Sequence, residues 1–334
     1  MGTGGRADPL FILTDMPAIS ATAPGKIILF GEHAVVYGQP AIAVPVNQVK
    51  ARVIISARPD QPRGWINLQA PDIGLEKGWD ELPPDHPLVL VIQGVLAATK
   101  IDQPPAMTVR VTSTIPIAAG LGSGAAVSVA IIRALSEFLG RPLPNEIISE
   151  LAFDIEKLYH GTPSGIDNSV ITYEKPIYFS KKYNDKIGKM ETFKVSNPFT
   201  IVIGDTGIPS PTAAVVSDVR KSWQAGGMLF QELFENTGEI TKNARQAIET
   251  GDNAALGPLM NQNQILLEKM GVSSIELERL VQAARKAGAH GAKLSGGGRG
   301  GNMIALVPME SAQQIAKALS GAGATNTIIT SVNN

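Results

Sequence analysis

Two short segments concentrate ionisable side chains of the kinds that transfer protons and hold cations in enzymes. The first, APGKIILFGEHAVVYGQPA, carries Lys26, Glu32 and His33 within one strand–turn unit. The second, EKLYHGTPSGIDNSV, carries Glu156 and Asp167 eleven positions apart, with a Pro-Ser-Gly turn between them. Each group also has a plainer interpretation, since a lysine beside a strand is usually solvated and acidic residues beside a turn are usually caps.

A glycine-rich loop, PIAAGLGSGAA at residues 116–126, lies between an alternating segment and an apolar run. The alternation over 106–116 predicts a half-buried strand, and the apolar run predicts a helix over 123–139. The first N–H groups of a helix lack intrahelical partners and the helix dipole is positive there, so this junction can bind an anion. Gly120 and Gly122 permit a close backbone approach that a Cβ atom would block.

The loop by itself is equally compatible with a plain turn between a strand and a helix. It lacks the Gly-Lys-Ser/Thr ending of a Walker A sequence. Position 125 is alanine, where a dinucleotide-binding G-x-G-x-x-G loop would have its third glycine. A phosphate loop at this position must therefore be of another type.

The elements that position these segments are predicted from periodicity and from Gly and Pro punctuation. The first half predicts strand, turn and short strand over 18–46, a strand over 51–59, and helices over 86–100 and 143–161. A hydrophilic, hairpin-like stretch follows these elements. It predicts a domain boundary that divides the chain into 18–185 and 186–334.

The second half of the chain opens with an apolar strand over 200–207. Residues 211–288 are predicted to be mostly helical, with breaks near Gly238, Gly251 and Gly271. The last part predicts a strand, a glycine-rich loop at 296–301, a strand, a helix and a strand.

The composition limits the classes of protein to which this chain can belong. Its 334 residues are 44% hydrophobic and 18% charged, which favours one large or two ordinary folded domains. The formal net charge of -1 gives no field that favours nucleic acid or an anionic membrane, and the absence of cysteine excludes disulfides and thiolate zinc sites. The N-terminus does not resemble a signal peptide and the apolar segment 87–98 is too short to cross a bilayer, so a cytoplasmic protein is expected.

Taken together, the segments resemble the GHMP kinases, which comprise galactokinase, homoserine kinase, mevalonate kinase and phosphomevalonate kinase. PIAAGLGSGAA is similar to the phosphate loop of that family, P-x-x-x-G-L-G-S-S-A-A, and APGKIILFGEHAVVYGQPAIA is similar to its N-terminal motif. KLSGGGRGGNMIAL lies where the family has its C-terminal glycine-rich motif. HGTPSGIDN is most similar to the mevalonate branch, and the resemblance extends over residues 21–307.

The resemblance implies an α+β, two-domain GHMP kinase fold with the active site in the cleft between the domains. The N-terminal domain would resemble domain 2 of ribosomal protein S5, and the C-terminal domain would be ferredoxin-like. The implied reaction moves the γ-phosphoryl group of ATP to the 5-hydroxyl of (R)-mevalonate with Mg²⁺ as cofactor. A homodimer is common in the family and is expected here, with neither nucleic acid nor a membrane as partner.

The resemblance also implies roles for individual residues. Residues that would contact ATP are Ser113, Ala118, Ala119, Gly120, Leu121, Gly122, Ser123 and Gly124. Glu156 would ligate Mg²⁺, with Ser123 as a second candidate ligand. Asp167 would be the general base or orienting group for the substrate hydroxyl, and Lys26 would pair with it. Other residues expected to bind the substrate are Glu32, His33 and Thr206.

Two positions depart from the family pattern. Gly124 stands where the family usually has a serine whose hydroxyl binds magnesium, so water or Ser123 is expected to complete the shell. Arg299 stands in GGGRGG where glycine is common. It is expected either to hold a phosphate oxygen or to pair with an acidic neighbour.

Two alternative functions remain open from the sequence. A sibling kinase would act on phosphomevalonate or on the 3-hydroxyl of mevalonate. HGTPSGIDN argues against the former and the presence of both Lys26 and Asp167 argues against the latter. A catalytically silent nucleotide-binding module is favoured only by Gly124.

Overall fold

A computed structural model describes residues 18–116, 119–160, 164–180, 188–210 and 212–334 of the chain. The elements of the first half are β1 (Ala18–Phe30), β2 (Ala41–Ala57), β3 (Ile66–Ala70), β4 (Leu75–Gly78), α1 (Pro87–Thr99), β5 (Met107–Ser113), α2 (Ser123–Phe138), α3 (Asn145–His160), α4 (Ile166–Tyr173), β6 (Ile177–Ser180) and β7 (Lys189–Thr192). The predicted strand before the glycine loop and the predicted helix after it are confirmed as β5 and α2.

Within the described residues, the strands of the first half form a seven-stranded sheet in the order β4-β3-β5-β2-β6-β7, with β1 paired along β2. The two strands predicted over 41–59 are a single strand, β2. The pairing with β1 skips residues 47–49, because Val46 pairs with Gly25 while Lys50 pairs with Pro24. This local irregularity interrupts the alternation of polar and apolar residues that the sequence prediction used.

Helix α2 packs on β1 and β2, with α1, α3 and α4 around it. Its apolar residues are buried almost completely, including Val129, Ile131, Ile132 and Leu135. This packing fixes the direction of α2, and the N-terminus of the helix therefore lies where the glycine loop ends.

The second half contains β8 (Phe199–Asp205), α5 (Thr212–Gly226), α6 (Met228–Thr250), α7 (Asn253–Lys269), α8 (Ile275–Lys286), β9 (Gly291–Ser295), β10 (Asn302–Val307), α9 (Ala312–Gly321) and β11 (Asn326–Val332). In this part of the described chain, a four-stranded antiparallel sheet has the order β11-β8-β10-β9. The predicted order of strand, loop, strand, helix and strand at the end of the chain is confirmed.

Side chains of α7 cover the outer edge of β9. The N–H of Ala292 donates to Oδ1 of Asn261 at 3.1 Å, and the N–H of Leu294 donates to Oε1 of Gln264 at 2.8 Å. These side-chain amides accept the hydrogen bonds that a further strand would otherwise accept. The two backbone N–H groups at this edge of the sheet are therefore paired, and β9 can lie against the first half of the chain.

One predicted helix break is wrong. Gly238 lies inside α6, where a Cβ atom would come 2.0 Å from Oε1 of Gln39. The glycine admits the Gln39 side chain rather than ending the helix. The real break separates α5 from α6 at Gly227, which has a φ of 41°.

The two sheets share one continuous apolar cluster, and β11 also contacts β2. Strands β8 to β11 follow the seven-stranded sheet in sequence, so the chain changes sheets between Thr192 and Phe199. The predicted boundary between 185 and 186 falls outside the described residues and stays a prediction. Among the described residues, no helix combines the length and apolar character needed to cross a membrane.

Candidate active site

A buried lysine meets a partly exposed aspartate at the centre of the candidate site. Nζ of Lys26 on β1 lies 3.0 Å from Oδ1 of Asp167, in the first turn of α4. The lysine side chain is 7% exposed and the aspartate side chain 29% exposed. The chain can turn into α4 because Gly165 has a φ of 88°. The pair therefore presents a carboxylate toward solvent with a fixed cation behind it.

Glu156 on α3 adds a second carboxylate to this pair. The pKa of Glu156 is raised to about 8. Burial is the largest cause, the negative charge of Asp167 adds to the rise, and the positive charge of Lys26 opposes it. Near pH 7 the folded protein therefore keeps a proton on Glu156, and a cation bound beside Glu156 and Asp167 would favour the ionised carboxylate. Among the described residues, no group of three or more His, Asp or Glu side chains is placed to hold a metal alone, so a bound cation would need oxygens from a ligand or water.

The raised pKa of Glu156 predicts a pH-dependent stability without metal. The folded state retains a proton between pH values near the ordinary pKa of 4.5 and near 8, so stability falls as pH rises through this window. We expect the melting temperature in a chelator to fall over this range in the parent protein and to fall less in Glu156→Gln. Asp154→Asn, which removes an exposed carboxylate of the same helix, is the matched control. Parallel melting curves for the parent and Glu156→Gln would contradict the prediction.

The glycine loop is tied directly to the lysine. The backbone N–H of Lys26 donates to the carbonyl of Leu121 at 3.0 Å. Gly120 and Gly122 have φ values of 82° and 74°, which favour glycine. A Cβ atom at Gly122 would lie 2.9 Å from Cδ1 of Ile171 and 3.0 Å from Cγ of Lys26. The loop thus leads into α2 in direct contact with the charged pair.

The remaining predicted ATP contacts surround this loop. Ser123 is the first residue of α2, and a Cβ atom at the exposed Gly124 would meet none of the described atoms within 4 Å. The N–H of Ser113, at the end of β5, donates to Oδ2 of Asp72 at 2.7 Å. Ala119 is buried, while Ala118 lies outside the described residues. The predicted nucleotide contacts themselves stay predictions.

The turn after β1 is held by the C-terminal sheet. Glu32 is buried, and its Oε1 accepts a hydrogen bond from Nζ of Lys293, which has no exposed surface. Nε2 of His33 lies 3.0 Å from the carbonyl O of Gly297. Burial lowers the pKa of His33 to about 4, so the ring is neutral near pH 7 and its Nε2–H donates to that carbonyl. Both predicted substrate residues thus have protein partners, and their substrate roles stay predictions.

The C-terminal glycine loop contacts the phosphate loop. The side-chain amide of Asn302 donates to the carbonyl of Ala119. Oγ1 of Thr206 donates to the carbonyl of Gly301 at 2.9 Å and accepts from the N–H of Ile208 at 3.3 Å. Thr206 therefore stabilises the loop beside the site, and its predicted contact with substrate stays a prediction.

Two family models match the chain. The model for the GHMP kinases N terminal domain matches residues 89–175, and that for GHMP kinases C terminal matches residues 244–325. The mevalonate kinase of Thermococcus gammatolerans is 38% identical over 326 residues, which cover 92% of this chain and 94% of the relative. The chain belongs to the GHMP kinase family, in its mevalonate kinase branch.

Solved structures agree with this assignment of the kinase. The L. major mevalonate kinase in complex with R-mevalonate is 33% identical with a TM-score of 0.82, covering 94% of this chain and 95% of that one. A Streptococcus pneumoniae phosphomevalonate kinase, 16% identical with a TM-score of 0.75, shares the fold; the match covers 93% of this chain and 99% of that one. The predicted α+β, two-domain GHMP kinase fold is confirmed, and the kinase is an ATP-dependent small-molecule kinase.

Arg299 in the kinase has an acidic neighbour. Its Nη1 donates to Oδ2 of Asp218 at 2.6 Å, and its Nε donates to the carbonyl of Gly271 at 3.1 Å. The backbone of Arg299 has a φ of 54°, which glycine would adopt at no steric cost. Of the two interpretations offered by the sequence, this geometry favours the pairing with an acidic residue.

Sequence reasoning missed three polar residues that link the C-terminal sheet to the first half of the chain. Lys293 and Ser295 on β9 and Asn302 on β10 bond to Glu32, Ile28 and Ala119, respectively. Their only signal was position, since all three flank the glycine-rich stretch in KLSGGGRGGNMIAL. Their partners lie more than 180 residues away along the chain, so local patterns could not identify the contacts.

Proposed function

We propose that this kinase transfers the γ-phosphoryl group of ATP to the 5-hydroxyl of (R)-mevalonate. The observation that carries the proposal is the Lys26–Asp167 pair, with 3.0 Å between Nζ and Oδ1, joined to the glycine loop through Leu121. Phosphoryl transfer depends chiefly on positioning and on charge stabilisation rather than on covalent chemistry by the protein. A rigid pair beside a helix N-terminus meets both requirements.

Asp167 is the group we assign to the substrate hydroxyl. As a partly exposed carboxylate it can accept a hydrogen bond from that hydroxyl and can take its proton during transfer. Lys26 places a positive charge next to the oxygen that develops negative charge. Because the lysine is almost fully buried, its position is fixed before substrate arrives.

The glycine loop and α2 are assigned to the ATP phosphates. The free N–H groups of the first turn and the positive end of the helix dipole favour phosphate oxygens. Glu156, with Ser123 as a further candidate, would hold Mg²⁺, which when bound neutralises charge on those oxygens. The burial of Glu156 beside Asp167, which a bound cation would compensate, supports this assignment.

Replacing Gly124 with serine tests the departure from the family loop. The position is open, so we expect a stable fold, with a helix gain of about 0.5 kcal/mol from the better propensity of serine. An added hydroxyl would supply a hard oxygen ligand, and the Mg²⁺ concentration for half-maximal activity should fall roughly two- to tenfold. A titration of initial rates against free Mg²⁺ measures this, with Ser123→Ala alongside. An unchanged Mg²⁺ requirement would show that the missing hydroxyl is immaterial.

The substrate is tested by a coupled ADP-release assay with mevalonate, phosphomevalonate, galactose and homoserine as acceptors. We expect turnover with mevalonate and much lower kcat/KM with the other three. Preference for phosphomevalonate would assign the kinase to a sibling activity. No turnover with any acceptor would favour a nucleotide-binding module and overturn the proposal.

The proposal includes the assembly, location and domain organisation that the family resemblance implies. A homodimer is expected from what is common in the family, and a cytoplasmic location is expected because the cysteine-free composition fits a reducing compartment. Two domains, 18–185 and 186–334, are supported by the change of sheets after β7. Light scattering after size exclusion measures the assembly.

A further inference from the structure

Strand β9 holds the end of β1 through a series of alternating positions. Oγ of Ser295 donates to the carbonyl of Ile28 at 2.9 Å and accepts from its N–H at 3.0 Å. Lys293, two residues earlier, bonds to Glu32, and Gly297, two residues later, bonds to His33. Lys293 and Ser295 are alternate residues of β9 and share one face of the strand, and the carbonyl of Gly297 in the loop that follows adds a contact to the turn after β1.

Lys293 has no exposed surface, and its charge is paired with a carboxylate. Its Nζ donates to Oε1 of Glu32 and to the carbonyl of Leu294, the latter at 2.6 Å. Burial lowers the pKa of Lys293, and the negative charge of Glu32 opposes that effect. An ammonium group is almost never enclosed in this way without a partner, because its desolvation is costly. The pair is therefore a built contact between the two sheets.

Glu32 is held through one oxygen only. Its side chain is 1% exposed, and among the described residues its Oε2 has no hydrogen-bond partner. A buried acceptor without a donor is costly and calls for an explanation. Bulk water does not reach Oε2 in this conformation, and a substrate hydroxyl would reach it only with a small shift of the side chains that cover it. The charged groups that face it are Lys293 from β9 and Lys26 from β1, and the neighbouring His33 is neutral near pH 7.

We propose that Lys293 is a positioning residue for substrate binding, which keeps Glu32 ionised and fixed through Oε1 so that Oε2 accepts a hydrogen bond from a substrate hydroxyl. This inference rests on the proposed function, since it gives the alcohol substrate to Glu32. The C-terminal sheet would thus help to select the substrate, while the residues assigned to phosphoryl transfer lie in the first half of the chain. Burial already raises the pKa of Glu32, and the charge of Lys293 holds it down. Removing Lys293 therefore favours the protonated carboxyl, which cannot use both oxygens as acceptors.

The test compares Michaelis constants for mevalonate and ATP across neutral pH in Lys293→Met, Lys293→Arg and Ser295→Ala. We expect Lys293→Met to raise KM for mevalonate about ten- to a hundredfold, the range for a hydrogen bond to a charged group. That KM should fall as pH rises, because the unpaired Glu32 must ionise to bind substrate. KM for ATP should stay within about twofold, and Lys293→Arg should restore part of the loss.

Ser295→Ala is the matched control for structure alone. It removes two hydrogen bonds between the same strands without touching Glu32. We expect a lower melting temperature with KM for mevalonate unchanged and independent of pH. The proposal is overturned if Lys293→Met behaves like Ser295→Ala, or if it raises both Michaelis constants equally.

A second pair of variants covers the case in which Lys293→Met does not fold. Glu32→Gln combined with Lys293→Met removes both buried charges, which proteins often tolerate better than one unpaired charge. Its KM for mevalonate should equal that of Glu32→Gln alone, because Lys293 acts through Glu32. A further increase in the double variant would overturn the proposal. An unchanged KM in Glu32→Gln would also overturn it and would assign Oε2 to an ordered water.

Turnover of mevalonate by the parent kinase distinguishes failure of the proposed function from failure of the inference about Lys293. If it does not turn over mevalonate, the proposed function fails whatever Lys293 does, and the same series is run with the acceptor that it does phosphorylate. If the parent turns over mevalonate and the Lys293 variants keep its KM and pH profile, only the inference about Lys293 fails.

Discussion

Asp167→Asn and Lys26→Met each lower kcat by at least about 10²–10⁴-fold, which is the contribution expected from a positioned acid–base group. The two side chains form one unit, with 3.0 Å between Nζ and Oδ1, so each variant removes the function of both. Asparagine cannot accept the hydroxyl proton. Methionine leaves Asp167 without its cation and raises the cost of a negative charge on the reacting oxygen.

The measurement is kcat from coupled ADP release with ATP and mevalonate both saturating. Circular dichroism and melting curves establish that each variant folds. Lys242→Met is a matched control, since it breaks an exposed lysine–glutamate pair on α6 with 2.6 Å between Nζ and Oε1. An exposed pair of this kind contributes little, so kcat should stay within about twofold. Turnover near the parent value in either active-site variant would exclude the assigned roles.

Gly122→Ala is expected to cause the second large loss, and Gly120→Ala a much smaller one. Both glycines have positive φ, at 74° and 82°, so both alanines are strained by about 1–2 kcal/mol. Only at Gly122 would the new Cβ meet other atoms, at 2.9 Å from Ile171 and 3.0 Å from Lys26. Gly122→Ala therefore moves the catalytic lysine as well as straining the loop, and we expect kcat to fall about 10²-fold through misplacement.

The comparison of the two alanine variants separates backbone strain from displacement of Lys26. Melting temperature reports the shared strain, and kcat with saturating ATP reports the displacement. Gly120→Ala should lower the melting temperature with kcat within about tenfold of the parent. Equal losses of kcat in both variants would mean that loop strain alone controls activity.

The sequence alone predicted the chemistry of the phosphate loop and most of the elements around it. Alternation before residue 113 and the apolar run after residue 123 predicted β5 and α2, since period-two and period-3.6 patterns arise from one-sided burial. Gly120 and Gly122 were expected to allow a close backbone approach that a Cβ atom would block, and both adopt the positive φ that favours glycine. Lys26, Glu156 and Asp167 were identified because their motifs are local, and the structure brings their charges together.

The interruptions of regular elements depended on contacts that a local pattern does not contain. Gly238 was predicted to break a helix, yet it continues α6 because the Gln39 side chain occupies the space of its missing Cβ. Residues 41–57 form one strand although polar residues interrupt their alternation, because β1 pairs on both sides of the irregular segment. In each case a tertiary neighbour overrode local propensity.

Only the tertiary structure determined which distant group each polar side chain meets. Glu32 and Lys293 are 261 residues apart, and Arg299 and Asp218 are 81 residues apart. Hydrophobic periodicity specifies which face of an element is buried, but the identity of the partner depends on how the two sheets pack. The sequence by itself therefore identified the family of this kinase and predicted which groups would react. The packing of β9 against β1 decided how Glu32, an expected substrate residue, is held, because the counter-charge of this buried carboxylate comes from Lys293 on the other sheet.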